Sequence, residues 1–176
     1  MKSYSVTTVL KPFTDFSFVP EDVLIAASER GQIVHAACAS YALKQFALDP
    51  PEDCRGFFES FKRWFDRYVK EVIFVETRME NEALGYNGMP DLGCVMVDDI
   101  AKIVDYKTPV ALARSWELQT SAYCALAKKE YGIDFVPMSL RLKRDGGEAQ
   151  AKDYEYSDRA YCAFLGILNG YRYLKA

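Results

Sequence analysis

The sequence predicts an α/β fold of the α+β kind: a central mixed β-sheet with a three-stranded meander, flanked by helices. Three observations predict it. An aromatic stripe repeats at helical spacing between residues 51 and 68. Runs with strand period recur over 72–79, 95–97 and 100–108. A second helical pattern over 114–131 is followed by another strand-like run over 133–143. Because helical and strand periods alternate along the chain, helices and sheet are expected to share a core. The 176 residues suit one domain over 1–176, since single cores typically occupy about 100–200 residues.

Composition narrows the function classes. Half of the residues are hydrophobic and 14% are aromatic, ample material for a packed interior. No apolar run approaches the roughly 20 residues that span a bilayer, so no membrane partner is expected. The N-terminus lacks the apolar segment of a signal peptide, which predicts a cytoplasmic protein. Cysteines at 38, 54, 94, 124 and 162 are odd in number. They contain no close pair resembling a zinc or iron-sulfur ligand set, so reduced, structural thiols are expected. The net charge of −3 gives no global attraction to nucleic acid, and a nucleic-acid partner would need local basic patches and metal ions. One histidine rules out His-rich metal chemistry and leaves one imidazole available as a ligand.

The elements follow in order. Residues 4–10 alternate and are β-branched, which predicts an edge strand ended by Lys11-Pro12, with a loop over 14–20. Residues 21–46 read as two helices broken near Arg30-Gly31, with Ala39, Ala42 and Phe46 at helical spacing from His35. That spacing sets His35 at the edge of a buried stripe, as a core residue or a ligand. Pro51 and its neighbouring acids start the aromatic helix. Phe57, Phe58, Phe61, Trp64, Phe65 and Tyr68 form its apolar face, and Lys62, Arg63 and Arg67 lie on the solvated side, where Glu59 and Arg63 stand at i,i+4. In the strand over 72–79, Glu76 shares a face with Phe74 and Arg78. It is a partner or ligand in a site, or an edge residue in water. Gly85 to Gly88 reads as a turn or bulge. The helix over 114–131 is stopped by Gly132 and carries Trp116, Gln119 and Tyr123 on one face. Its glutamine needs partners: it caps a loop in the core, or holds a phosphate or bound strand. Asp145-Gly146-Gly147 turns the strand over 133–143 into a last strand, and Ser157 caps the final helix.

The stretch from residue 88 to 108 carries the chemistry. Strands over 95–97 and 100–108 join at Asp98-Asp99, and alternation puts Ile103, Asp105 and Lys107 on one face, with Val104 and Tyr106 on the other. Asp105 and Lys107 then project together, roughly 7 Å apart at Cα, and the hairpin brings Asp91 beside Asp105. Two converging carboxylates repel, and a divalent cation or a raised pKa relieves them. Oxygen ligands of this hardness, with the Tyr106 carbonyl, select Mg²⁺ or Mn²⁺. Lys107 would orient a water or stabilise developing charge. A surface hairpin with ordinary charges is the other reading of the same residues.

Together these residues resemble the PD-(D/E)XK nuclease superfamily, in its RecB-like and phage-type exonuclease branch. Pro90-Asp91, a spacer and Asp105-Tyr106-Lys107 reproduce the motif, preceded by Gly88-Met89. Gly31-Gln32-Ile33-Val34-His35 is similar to the branch's helix histidine, residues 103–108 to its strand signature, and Gln119 to Tyr123 to its glutamine-and-tyrosine helix. The matches span residues 31–123, about half of the chain. The resemblance implies a restriction-endonuclease-like core and a Mg²⁺- or Mn²⁺-dependent deoxyribonuclease. His35, Asp91, Asp105 and the Tyr106 carbonyl would hold one or two ions. Asp91, Asp105, Lys107, Gln119 and Tyr123 would be catalytic, and Glu76 would stand behind them. Arg78, Arg141, Lys143 and Arg144 are candidate DNA contacts. Some members of the branch carry a four-cysteine iron-sulfur cluster, which the scattered cysteines here argue against. With no phosphate-binding loop of a motor, the chain is similar to a freestanding nuclease core that works alone, by self-assembly or with a recombination partner protein. The alternatives are a non-catalytic nucleic-acid-binding or assembly module on the same fold, and a structure-specific endonuclease.

Overall fold

A computed structural model describes residues 2–13, 19–46, 49–108, 113–155 and 158–175. The architecture is mixed α/β. Five strands form the main sheet: β2 (Val69–Val75), β5 (Leu92–Met96), β6 (Ala101–Lys107), β7 (Val136–Arg141) and β8 (Gln150–Asp153), in that spatial order. β2, β5 and β6 are the expected antiparallel meander. β7 then runs parallel to β6, and β8 antiparallel to β7. A smaller sheet pairs β1 (Tyr4–Ser5) in parallel with β4 (Tyr86–Gly88), which pairs antiparallel with β3 (Met79–Asn81).

Both faces of the main sheet are covered, which is why β6 reads as a nearly continuous buried run. Helices α2 (Glu21–Ala42) and α3 (Glu52–Tyr68) pack on the face that carries Val104 and Tyr106, where Phe57, Phe61 and Trp64 fill the core. Each fully buried aromatic there contributes about 2–3 kcal/mol, so the aromatic stripe fixes α3 to the sheet. The opposite face carries Ile103. It is covered by α4 (Ser115–Tyr131), α5 (Asp158–Lys175) and α1 (Val6–Leu10) through Ala122, Tyr123, Phe164 and Val9.

Several local expectations give way to packing. Residues 6–10 form a helix instead of an edge strand. The Ser5 side chain accepts from the Thr8 N–H, and the buried residues Val6, Val9 and Leu10 fall at helical spacing. The break at Arg30-Gly31 does not occur, and α2 runs through it. A helical glycine costs only about 1 kcal/mol, which a 22-residue helix absorbs. Phe46 lies beyond that helix and is exposed. The strand over 72–79 stops at Val75. Glu76 has φ 41° and turns the chain, so Glu76 does not share a strand face with Phe74 and Arg78. Gly85, at φ 57°, makes the expected turn, but Tyr86–Gly88 is strand. On α3, Glu59 pairs with Lys62 at 2.6 Å in place of Arg63. Ser157 and much of the 14–20 loop lie outside the described residues. Among the described residues, no helix is long and apolar enough to cross a membrane.

Candidate active site

The end of β6 is where the two core layers and the chain's polar residues meet. The β5–β6 hairpin is closed by Asp99 in the left-handed region, φ 65°, while the Asp98 carboxylate accepts the Ile100 N–H, an aspartate turn that needs no glycine. Its register pairs Leu92 with Val104, which sets Asp91 opposite Asp105. Both are buried, at 8% and 3% exposure.

Each oxygen of this acid pair can be followed. Asp91 Oδ1 accepts from His35 Nδ1 at 3.1 Å, and Asp91 Oδ2 accepts the Tyr106 backbone N–H at 2.6 Å. Asp105 Oδ1 accepts from Gln119 Nε2 at 3.0 Å. The Lys107 ammonium is in ion-pair contact with Asp105 Oδ2, a buried oxygen that accepts no well-aligned hydrogen bond among the described residues. Lys107 Nζ donates to Gln119 Oε1 at 3.1 Å, and Gln119 Nε2 also approaches the Tyr123 hydroxyl at 3.2 Å. The amide orientation is dictated by charge: its oxygen faces the ammonium and its nitrogen the carboxylate. His35, Asp91, Asp105, Lys107, Gln119 and Tyr123 therefore form one group, drawn from α2, the start of β5, β6 and α4. The His35 ring meets the Tyr106 ring edge-on at 5.5 Å between centroids.

Electrostatics follow from burial and the surplus acid. Burial pushes Asp105 up from the ordinary carboxylate range; Lys107 opposes that and Asp91 reinforces it. For His35, burial works against the charged imidazolium, yet Asp91, by charge and hydrogen bond, and then Asp105 outweigh it and raise the imidazole. Burial and then the charges of Asp91 and Glu76 raise the Cys38 thiol. The cluster is thus a place of negative potential inside the protein.

The other expected residues divide. Glu76 is exposed. Its backbone N–H donates to the Asp91 carbonyl at 3.1 Å, and its charge bears on Cys38 and Tyr106. Arg78 is exposed between β2 and β3 and takes no part in this network. Arg141, Lys143 and Arg144 gather with Arg30, Phe57 and Thr108 around a cavity of about 250 Å³. The Leu142 N–H donates to the Lys107 carbonyl there at 2.8 Å, so this basic cavity adjoins the acid cluster. Arg30 was not among the residues the sequence singled out. Its position five residues before His35 is the only signal that would have found it. On α3, Lys62 and Arg67 are paired with Glu59 and Glu148.

The donor set suits a hard divalent ion: two carboxylates, a strand carbonyl and one imidazole. Among the described residues, no three His, Cys, Asp or Glu side chains converge tightly enough to make a ready cage. The cysteines are free, and four of the five are buried apart from this cluster's hydrogen bonds.

The sequence matches no protein-family model and no curated protein sequence. The fold is similar to a crystal structure from Eubacterium rectale named "Putative exonuclease", with a TM-score of 0.52 at 14% identity. The match covers 83% of this chain and 66% of that one. At such identity the likeness is one of fold.

Proposed function

We propose that the chain is a metal-dependent deoxyribonuclease of the PD-(D/E)XK superfamily, in the RecB-like exonuclease branch, with the nuclease unit spanning 1–176. One observation carries the reading: Asp91 and Asp105 lie side by side, with Lys107 and Gln119 hydrogen-bonded into the same group and His35 against Asp91. The fold shared with a protein named as an exonuclease supports it.

Asp91, Asp105 and His35 would hold one or two Mg²⁺ or Mn²⁺ ions. A strand residue's N–H and C=O point toward the same neighbouring strand. The Tyr106 carbonyl is therefore directed to the Asp91 side, where it would add an oxygen. Bound there, the ion supplies a Lewis acid and lowers the pKa of a coordinated water. The protein's own groups do the rest. Lys107, released from Asp105, holds the attacking water and offsets charge on the phosphate. Gln119 fixes the Lys107 ammonium and Asp105 at once. Tyr123, whose hydroxyl burial raises well above the ordinary phenol range, stays protonated and braces Gln119. Arg30, Arg141, Lys143 and Arg144 offer phosphate contacts that offset a net charge of −3.

The test is incubation of linear duplex and single-stranded DNA with Mg²⁺ or chelator, beside Lys107→Ala. Hydrolysis is expected only with metal and intact Lys107, and hydrolysis surviving either change overturns the chemistry. Release of mononucleotides marks an exonuclease, and internal nicking an endonuclease. A second reading, a non-catalytic nucleic-acid-binding module, is favoured by one fact: each carboxylate already has protein donors. Stoichiometric Mn²⁺ binding by calorimetry that disappears in Asp105→Ala argues against that module.

A further inference from the structure

A second cavity, of about 400 Å³, opens on the α4 side of Lys107 and shares Lys107 and Gln119 with the acid cluster. Its far wall comes from a distant part of the chain, Thr7, Thr8 and Lys11, and its near wall from Trp116. Both walls are held rigidly. Val6, Val9 and Leu10 anchor α1 in the core beneath α4, Tyr4–Ser5 are paired to β4, and this turns Thr7 and Thr8 outward, where both are exposed. Trp116 is 7% exposed, and the Lys107 ammonium stands 5.6 Å from its ring centroid, a cation–π distance that fixes indole and lysine together.

The lining combines the exposed edge of the Trp116 indole, the Thr7 and Thr8 hydroxyls, which also meet the Ser5 hydroxyl, and the Lys11 and Lys107 ammoniums. A nucleotide presents the complementary set: a base that stacks on or abuts aromatics, sugar and phosphate oxygens that accept from hydroxyls, and a negative charge. The size lies at the lower end of the range for small-ligand pockets, about 300–1,000 Å³, which suits one nucleotide and not a duplex. Because Lys107 and Gln119 line the cavity and are hydrogen-bonded into the acid cluster, anything in the cavity adjoins whatever the cluster holds.

We infer that this cavity receives the nucleotide adjoining the phosphate held at Asp91 and Asp105, its base against Trp116 and its backbone against Thr7, Thr8 and Lys11. The inference rests on the nuclease reading, and it makes Trp116 and Lys11 positioning residues for the strand.

The chain has two tryptophans, so Trp64→Phe leaves Trp116 as the sole indole. Trp64 lies in the other core layer. An oligothymidylate of about eight nucleotides, within the site sizes of single-strand binders, is titrated in chelator. Indole emission is followed in the variant, and anisotropy of an end-labelled copy is followed in the variant and in wild type. The expected result is a saturable emission change that tracks anisotropy, with binding weakened about 3- to 10-fold by Lys11→Gln. A second measurement uses wild-type protein with Mg²⁺. An abasic nucleotide beside the scissile phosphate is expected to lower kcat/KM about tenfold, as loss of one stacked base does, and that penalty shrinks in Trp116→Leu. Binding without any emission change, or an abasic penalty unchanged in Trp116→Leu, overturns the inference, and retained hydrolysis then leaves the nuclease reading standing. Emission change without hydrolysis sinks the nuclease reading and keeps the cavity. Absence of both binding and hydrolysis removes both.

Discussion

β6 carries two lysines paired with aspartates, and the two pairs are built to different plans. Lys102, with 8% of its side chain exposed, meets Asp153 of β8 at 2.7 Å, and Asp153 is 53% exposed. One base meets one acid, and the acid keeps water on its outer side. Lys107 is partly buried, with 15% of its side chain exposed, against a buried Asp105 at 4%, and Asp91, His35 and Gln119 crowd the same place. The first pair balances its charge. The second holds two carboxylates against one ammonium in a setting that pushes Asp105 up. A balanced pair needs only a fold to explain it, whereas two buried carboxylates beside one ammonium draw further positive charge onto the His35 imidazole, which Asp91 and Asp105 raise.

The difference is broken most sharply by treating the two acids alike. Asp105→Asn is expected to lower metal-dependent hydrolysis by about 10²-fold or more, the scale of losing one transition-state contact, while the metal-free melting temperature stays level or rises. Asp153→Asn should do the reverse: activity is kept, and leaving Lys102 buried without its charge partner costs on the order of 1–2 kcal/mol, discounted because Asp153 is half exposed. For a chain of this size that is roughly 2–4 °C per kcal/mol. Paired hydrolysis assays and melts decide it, and similar behaviour of both variants erases the distinction.

A smaller effect comes from the strand beside the cluster. A Cβ on Gly88 would lie 2.5 Å from Cε1 of Tyr123, closer than packed atoms allow. Gly88→Ala is expected to displace the ring that braces Gln119 and to cost about 1–3 kcal/mol, as overpacking does. Activity should fall more than the melting temperature alone explains. Equal loss of folded protein and activity would assign Gly88 to packing only.

Gly88 also marks what was legible. The meander, the Asp98-Asp99 turn, α3 and the face shared by Trp116, Gln119 and Tyr123 were readable because each is encoded by local period or turn chemistry. So was the meeting of Asp105 with Lys107, two residues apart on one strand. Residues 6–10 misled because β-branched composition argues for strand, and only the tertiary burial of Val6, Val9 and Leu10 selects helix. Glu76 misled because alternation continues through it in the sequence while its backbone turns at φ 41°. Arg30 joins Arg141, Lys143 and Arg144 from more than a hundred residues away, a convergence no local pattern carries. His35 beside Asp91 is implied in the sequence only by resemblance to a family, since 56 residues separate them.

Tyr106 separates backbone from side chain. Its hydroxyl is buried and has no hydrogen-bond partner among the described residues, while its N–H serves Asp91. Tyr106→Phe removes an unsatisfied polar group and keeps the ring against Phe61 and His35. It is expected to stabilise by about 1 kcal/mol with hydrolysis unchanged. A large loss of activity would show that the hydroxyl, and not the carbonyl, is the working group.

The smallest effect is a pH dependence confined to the acid cluster. His35 is raised above 6.5 in the folded chain, burial being outweighed by Asp91 and Asp105. The folded state therefore binds that proton more tightly than the unfolded one. The resulting stabilisation is complete below an unfolded value of about 6.5 and is lost as pH rises through the folded value. Asp105, raised by burial against Lys107, has the same sign, but its contribution is complete only below about 3.9, so His35 governs the neutral range. In chelator, the melting temperature of wild type relative to His35→Asn should be highest near pH 6 and should decline toward pH 8.5. Parallel curves across that range would remove the charge coupling between imidazole and acids that distinguishes this end of β6 from the Lys102–Asp153 end.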